Sequence, residues 1–406
     1  MTHSRHSLPL HTWSLILALL TALGMLPTTA SAQAVSCLAD TALVHAIEYN
    51  NPQLRAARSA NRALMADLRA ENRPGQTSIE YSPFYQSGYE GVASSELIVQ
   101  QEFNFPTLYA ARSRQAHAQQ SQLDLQYRVL RRDILLEATQ LSIDLQAAQA
   151  MRQLLGLRLS AADTLFMAYQ RRLDEGDATL IDVNRIKMDR MSVTTEALRC
   201  DAQLASLTHD LERLNGGRPL PRLSASLMDA PLTEANTDET SSLESRLAAA
   251  SVATARRELS VAQQSWLPDL TLGYRRNTEQ AESLHGFLVG VSVPLFGNGQ
   301  RVKAARLRRT AAEEQLLTVQ AEQTARQLSL LDQARQLRLM LQAYDEPLMH
   351  QQLTLLRHAV MAGELSVIAY YAEADRIYTL LQERLSTLCE YRKTLASLRR
   401  EQLFGQ

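Results

Sequence analysis

The chain is poor in the residues that break helices. It has 15 Gly and 12 Pro in 406 residues, where average usage is about 7% and about 5%. That scarcity argues against disordered, collagen-like and loop-rich all-β chains. Aromatic residues make up only 5%, which suits long helices with thin cores better than one large globular core. Charge of one sign is missing as well. The 42 basic and 43 acidic residues nearly cancel, so no long-range field points toward nucleic acid or an anionic membrane face. The nine histidines show no metal-ligand spacing, with His350 and His358 eight apart and His3, His6 and His11 near the N-terminus. Gly297-Asn298-Gly299 lacks the third glycine and the βαβ context of a dinucleotide fingerprint. No Ser/His/Asp arrangement or carboxylate pair stands out. The chain is therefore expected to be no enzyme and to need no metal or cofactor.

Long apolar runs are absent too, with one short exception. Arg5 and His6 precede an apolar stretch from Trp13 to Leu26, followed by Pro27 and Ala30-Ser31-Ala32. This is the order of a secretory signal, assigned to residues 1–32. The stretch is shorter than the about 20 residues a membrane-spanning helix needs. Cys37, preceded by Ala34-Val35-Ser36, leaves lipid attachment open as an alternative fate for the new N-terminus. Past residue 33 no run is long enough to span a bilayer. An exported chain of this kind that enters a membrane must do so without helices.

What is abundant is helical pattern. Residues 38–72, 107–173, 180–214, 241–266, 300–361 and 365–403 read as helices. In the second of these, Tyr127, Ile134, Leu141, Ala148 and Leu155 recur every seventh residue, a coiled-coil-like seam. Between helices lie four short stretches with strand alternation: Thr77–Tyr81, Leu97–Gln100, Leu270–Tyr274 and Phe287–Val291. They form two hairpins, each inserted between helices. The halves look duplicated, because Pro74 matches Pro268, Glu102 matches Pro294 and Gly176 matches Gly363 in the same order. The domain reading is therefore a first repeat at 33–217, a Pro/Ser/Thr-containing linker at 218–240 and a second repeat at 241–406. The helix over 107–173 would be about 100 Å long, and the shorter helices flanking it sum to a similar length. Two half-length helices stacked end to end thus match one full-length helix, with a hairpin at one end of the rod and a Gly turn at the other.

In this duplicated form the chain resembles the TolC-like outer-membrane efflux family. The residues that carry the resemblance are Asn51-Pro52-Gln53-Leu54, Trp266-Leu267-Pro268, Val293-Pro294-Leu295-Phe296-Gly297 and the turns around Gly176 and Gly363. The short mature chain, Gln101-Glu102-Phe103 and Pro347 make it more similar to the heavy-metal cation branch. The resemblance implies a mainly α fold with a transmembrane β-barrel, closed by three chains into a trimeric channel. It also implies a periplasmic adaptor (membrane fusion) protein and an inner-membrane pump as partners, outer-membrane lipid around the barrel, and no nucleic acid. The implied role is a passive outer-membrane conduit for solutes, metal cations included, that extends into the periplasm. Type I secretion is the alternative within the family, and a soluble periplasmic coiled-coil adaptor the alternative outside it. Strand windows of about nine residues are long enough for a tilted crossing, and four strands from one chain leave open edges that lipid does not tolerate.

The resemblance also points to residues. The tip turns, Leu173, Gly176, Asp177, Thr179 and Leu180 in the first half and Gly363, Glu364, Ser366 and Val367 in the second, would meet the adaptor. Helix capping alone explains the residue types there equally well. Asp182, whose counterpart is Ala369, and Tyr370 with Tyr371 are the candidate constriction. If half-length helices stack end to end, Cys37 and Cys200 meet at the joint and form a disulfide, with Cys37–Cys389 the rival pairing.

Overall fold

The computed structural model describes residues 40–88, 90–222, 242–279, 282–293 and 298–405. The signal segment, Cys37, most of the linker at 218–240 and the Pro294–Gly297 motif lie outside the described residues. In chain order the elements are α1 (Thr41–Asn50), α2 (Pro52–Glu71), β1 (Thr77–Phe84), β2 (Ser94–Phe103), α3 (Pro106–Glu175) and α4 (Leu180–Leu214). They continue with α5 (Leu243–Gln264), β3 (Asp269–Glu279), β4 (Glu282–Ser292), α6 (Asn298–Ala343), α7 (Glu346–Ala362), α8 (Val367–Leu398) and α9 (Arg400–Phe404). The protein is mainly helical with a small antiparallel sheet. No described helix is long and apolar enough to cross a membrane.

Two expected helices are each split by the same chemistry. The segment 38–72 breaks at Asn51, whose side chain accepts from Leu54 N while Pro52 takes the first helical position. The segment 300–361 breaks at Tyr344 and Asp345, where Asp345 caps the next helix and Pro347 lies in its first turn. An Asx cap followed closely by proline is a start signal, because the cap satisfies a free N–H and proline has none to satisfy.

The chain forms two compact units, and each draws on both halves of the sequence. One contains Ile134–Ala235 and Leu330–Leu403 with the residues up to Asn50; the other contains Asn51–Asp133 and Asn236–Ser329. The second unit carries the sheet. Its strands run in the order β1-β2-β3-β4, all antiparallel, so the two hairpins join edge to edge through β2 and β3. The register divides the side chains between two faces. Ile79 and Tyr81 pair with Val99 and Leu97, Val99 pairs with Tyr274, and Tyr274 and Leu272 pair with Phe287 and Val289. One face therefore carries an apolar patch, with Ile79 71%, Phe287 93% and Val289 74% exposed, and Arg276 and His285 continue the row of Tyr81 and Leu97 on it. The opposite face carries Ser78, Glu80, Glu96, Gln100, Arg275 and Asn277 together with Ile98, Leu284 and Leu288, and Arg275 pairs with Glu96 there. In the same unit Arg132, 1% exposed, grips Glu244 through both Nη atoms at 2.6 and 2.8 Å and so ties α3 to α5. Two-point contact of this kind fixes orientation as well as charge.

The first unit is a helical bundle. Ile134, Ala148 and Leu155, three of the five seam positions read from the sequence, are buried. Its main core gathers Leu165, Tyr169, Val183, Ile186, Val360, Val367, Tyr370 and Tyr371 from α3, α4, α7 and α8. Cys200 is buried against Leu155 and Val193, and its Sγ donates to Ala148 O at 3.2 Å. Cys389 donates to Asp144, and burial pushes its thiol up to about 12.

Candidate functional site

The two Gly turns share one backbone solution. Gly176 and Gly363 both have φ 82°, a conformation that costs a residue with a Cβ roughly 1–2 kcal/mol. After α3, Gly176 N donates to Leu173 O and Asp177 N to Arg172 O at 2.7 Å. After α7, Gly363 N donates to Val360 O and Glu364 N to Ala359 O at 3.0 Å. This nested pair of bonds satisfies carbonyls that a helix end otherwise leaves free.

The helices that follow are capped differently. Thr179 and Asp182 form a reciprocal capping box, in which the Asp182 carboxylate accepts from Thr179 N and Oγ1 while Thr179 Oγ1 accepts from Asp182 N. Ser366 alone caps α8, accepting from Ala369 N at 3.2 Å. Ala369 has no side chain to return the bond. The carboxylate proposed for the constriction is thus engaged in a cap.

The turns are held side by side. Tyr169 Oη donates to Val360 O at 3.3 Å, Arg172 Nη2 donates to Met361 O, and the Arg172 guanidinium stacks 5.1 Å from the Tyr169 ring. Two side chains from the end of α3 therefore reach carbonyls in the last turn of α7, where a cation is also favoured by the helix dipole. The sequence reading passed over both residues. An aromatic and a basic residue three apart just before a Gly turn was the available signal.

Of the residues expected at the tip, Gly176, Asp177, Thr179, Leu180, Gly363, Glu364 and Ser366 are exposed, and Leu173 is half-buried. Val367 is buried in the core, and its neighbour Ile368 is the exposed apolar residue, as Leu180 and Ile181 are after the first turn. Tyr370 and Tyr371 are likewise core residues, packed edge to face at 5.1 Å. Side chains so enclosed line no water-filled bore in this conformation. Burial raises both phenols well above the ordinary value for tyrosine. Beneath them Arg158 of α3 binds Asp189 of α4 and Asp375 of α8, each at 2.5 Å, and stacks on Tyr378 at 4.8 Å. Burial works against the Arg158 charge, but the two carboxylates outweigh it and hold the guanidinium protonated.

No protein-family model matches the sequence, and no curated protein matches it. Solved structures do. CusC, solved to follow conformational changes in folding and transmembrane channel formation, matches with TM-score 0.73 at 15% identity, over 88% of this chain and 90% of that one. The Campylobacter jejuni CmeC outer membrane channel matches with TM-score 0.75 at 12% identity, over 89% of this chain and 85% of that one. The outer membrane protein VceC from Vibrio cholerae matches with TM-score 0.69 at 15% identity, over 89% and 95%. This chain has their fold. The likeness spans most of this chain and of each of those structures.

Proposed function

We propose that this protein is the outer-membrane channel of a tripartite efflux system, a passive conduit across the outer membrane and periplasm. The observation that carries the reading is the sheet. Its strands are 8 to 11 residues long, and their alternation makes one face richer in exposed apolar side chains and the other richer in polar ones. A lipid-facing barrel wall requires that pattern. β1 and β4 are the edges of the sheet, and edges cannot remain open in lipid. Three copies would close a twelve-stranded barrel around a wet lumen.

On this reading residues 1–32 are the export signal, the two halves are a duplication, and the Gly turns form the periplasmic tip. A periplasmic adaptor would dock there, on the exposed Leu180, Ile181 and Ile368 and the polar caps between them, and link the channel to an inner-membrane pump. Asp182 would contribute to the constriction only after leaving its capping box. Metal cations as the solute rest on the sequence resemblance alone. Isolation of outer membranes tests the assignment. The expected result is an outer-membrane protein that migrates as a trimer without heating and as a monomer after boiling. A monomer recovered from the soluble periplasmic fraction overturns it.

A further inference from the structure

Helix α2 is lopsided in charge. It carries Arg55, Arg58, Arg62 and Arg69 against Asp67 and Glu71. Arg58, Arg62 and Arg69 are spaced four and seven residues apart, so they fall within about 40° of one another around the helix. They line one wall of a cavity of about 430 Å³ between α2 and α3, with Gln120, Asp124 and Tyr127 on the opposite wall. Among the described residues none of the three arginines is in an ion pair, although Asp124 stands within the same lining. Arg58 is already oriented, its guanidinium stacked 5.0 Å from the Tyr127 ring. The Tyr127 hydroxyl itself is shut off from solvent and has no hydrogen-bond partner among the described residues, so the ring rather than the hydroxyl faces the arginine. Asn61 fixes the spacing of the walls by donating to Leu123 O at 3.1 Å. Beyond Arg69 the groove continues into a hollow of about 130 Å³ lined by Asn72, Ser113 and His117.

We propose that this groove is a binding site for a phosphate-type oxyanion. Guanidinium forks match such an anion in two-point geometry, and arginine sheds water more readily than lysine. Arg58 and Arg62 are separated by about 6 Å of helix rise and form one subsite. Arg69, about 10 Å further along, forms a second together with Asn72 and His117. Met65 lies between them and offers an apolar contact. The cavity volume falls in the range of small-ligand pockets. The ligand is therefore an elongated molecule with a phosphate at one or both ends, either a lipid headgroup or a free phosphate compound.

Calorimetric titration of the full-length detergent-solubilised protein with inorganic pyrophosphate tests the site. A second arm uses phosphatidylcholine vesicles containing phosphatidylglycerol as competitor. The expected result is saturable pyrophosphate binding, weakened at least tenfold in the double variant Arg62→Gln/Arg69→Gln with helix content unchanged. Gln120→Glu, which adds negative charge on the opposite wall, gives an independent loss of similar size. Displacement of pyrophosphate by the phosphatidylglycerol vesicles makes a lipid headgroup the occupant. Binding without displacement makes it a free phosphate compound, and either result upholds the site. Absence of saturable binding by the wild-type protein, or equal binding by the variants, overturns the proposal.

Discussion

The turn at Gly176 and the turn at Gly363 have the same φ and the same nested hydrogen bonds, yet they are stabilised from different directions. The first closes on itself, because Thr179 and Asp182 cap each other across one helical turn. The second lacks the returning carboxylate and depends on the first helix, whose Tyr169 and Arg172 hold its last carbonyls. A backbone shape repeated in the sequence can thus be autonomous in one copy and dependent in the other. The dependence also has a direction: removing the α3 side chains that reach α7 should loosen the second turn and leave the first intact.

The largest effect should come from removing the shared feature. Gly176→Val and Gly363→Val each place a β-branched residue at φ 82° and should cost about 1–3 kcal/mol, read as lowered midpoints in thermal or urea unfolding. A Cβ meets nothing within 4 Å at Gly176 and only Arg172 Nη1 at 3.8 Å at Gly363, so the two losses should be similar. A much larger loss at one site would mean packing matters there as well as backbone strain. Arg172→Ala separates the turns. It should cost about 1–2 kcal/mol and speed hydrogen exchange at Gly363 and Glu364, leaving Gly176 and Asp177 protected. Equal deprotection of both turns would remove the asymmetry.

Asp182→Ala tests the opposite arm. Loss of the capping box should cost about 1 kcal/mol and be felt at the start of α4, with α8 unaffected. If the same variant leaves single-channel conductance and its cation block unchanged, Asp182 has no part in a constriction. The smallest effect at neutral pH should be Tyr371→Phe, because Tyr371 Oη is buried without a partner among the described residues, and removing such a group is close to neutral or mildly stabilising. Its consequence appears in alkali. Burial raises the Tyr371 phenol above the ordinary value of about 10. The stability this contributes is therefore complete below about pH 10 and is lost as pH rises beyond it. Tyr371→Phe should move the alkaline unfolding midpoint upward, as followed by circular dichroism. An unchanged midpoint would mean that other groups govern the transition.

Helical content, strand positions and turn glycines were legible because each has a local cause. The seven-residue seam, the alternation at Leu270–Tyr274 and the isolated Gly176 need no distant partner to be recognised. Asn51-Pro52 and Asp345-Glu346-Pro347 also had a local cause, but long apolar periodicity on both sides masked two breaks that cap chemistry requires. The orientation of side chains at the tip was not legible. Val367 and Ile368 are adjacent and chemically alike, and only packing against Tyr169 and Ile186 decides which is buried. Tyr370 and Tyr371 stand in the sequence as constriction candidates, whereas the Arg158 contacts beside them in the core join residues 31 and 217 positions apart. Such contacts leave no mark on a single sequence.

The sheet has a consequence for inheritance as well as for structure. Among the described residues its outer strands β1 and β4 each have a pairing partner on one side only. If sister chains complete them, the product of one gene copy is finished by the product of another. A substitution that spoils β4 without unfolding its own chain would then be dominant, silencing healthy copies in proportion to how often they join it. A substitution that prevents folding altogether would be recessive.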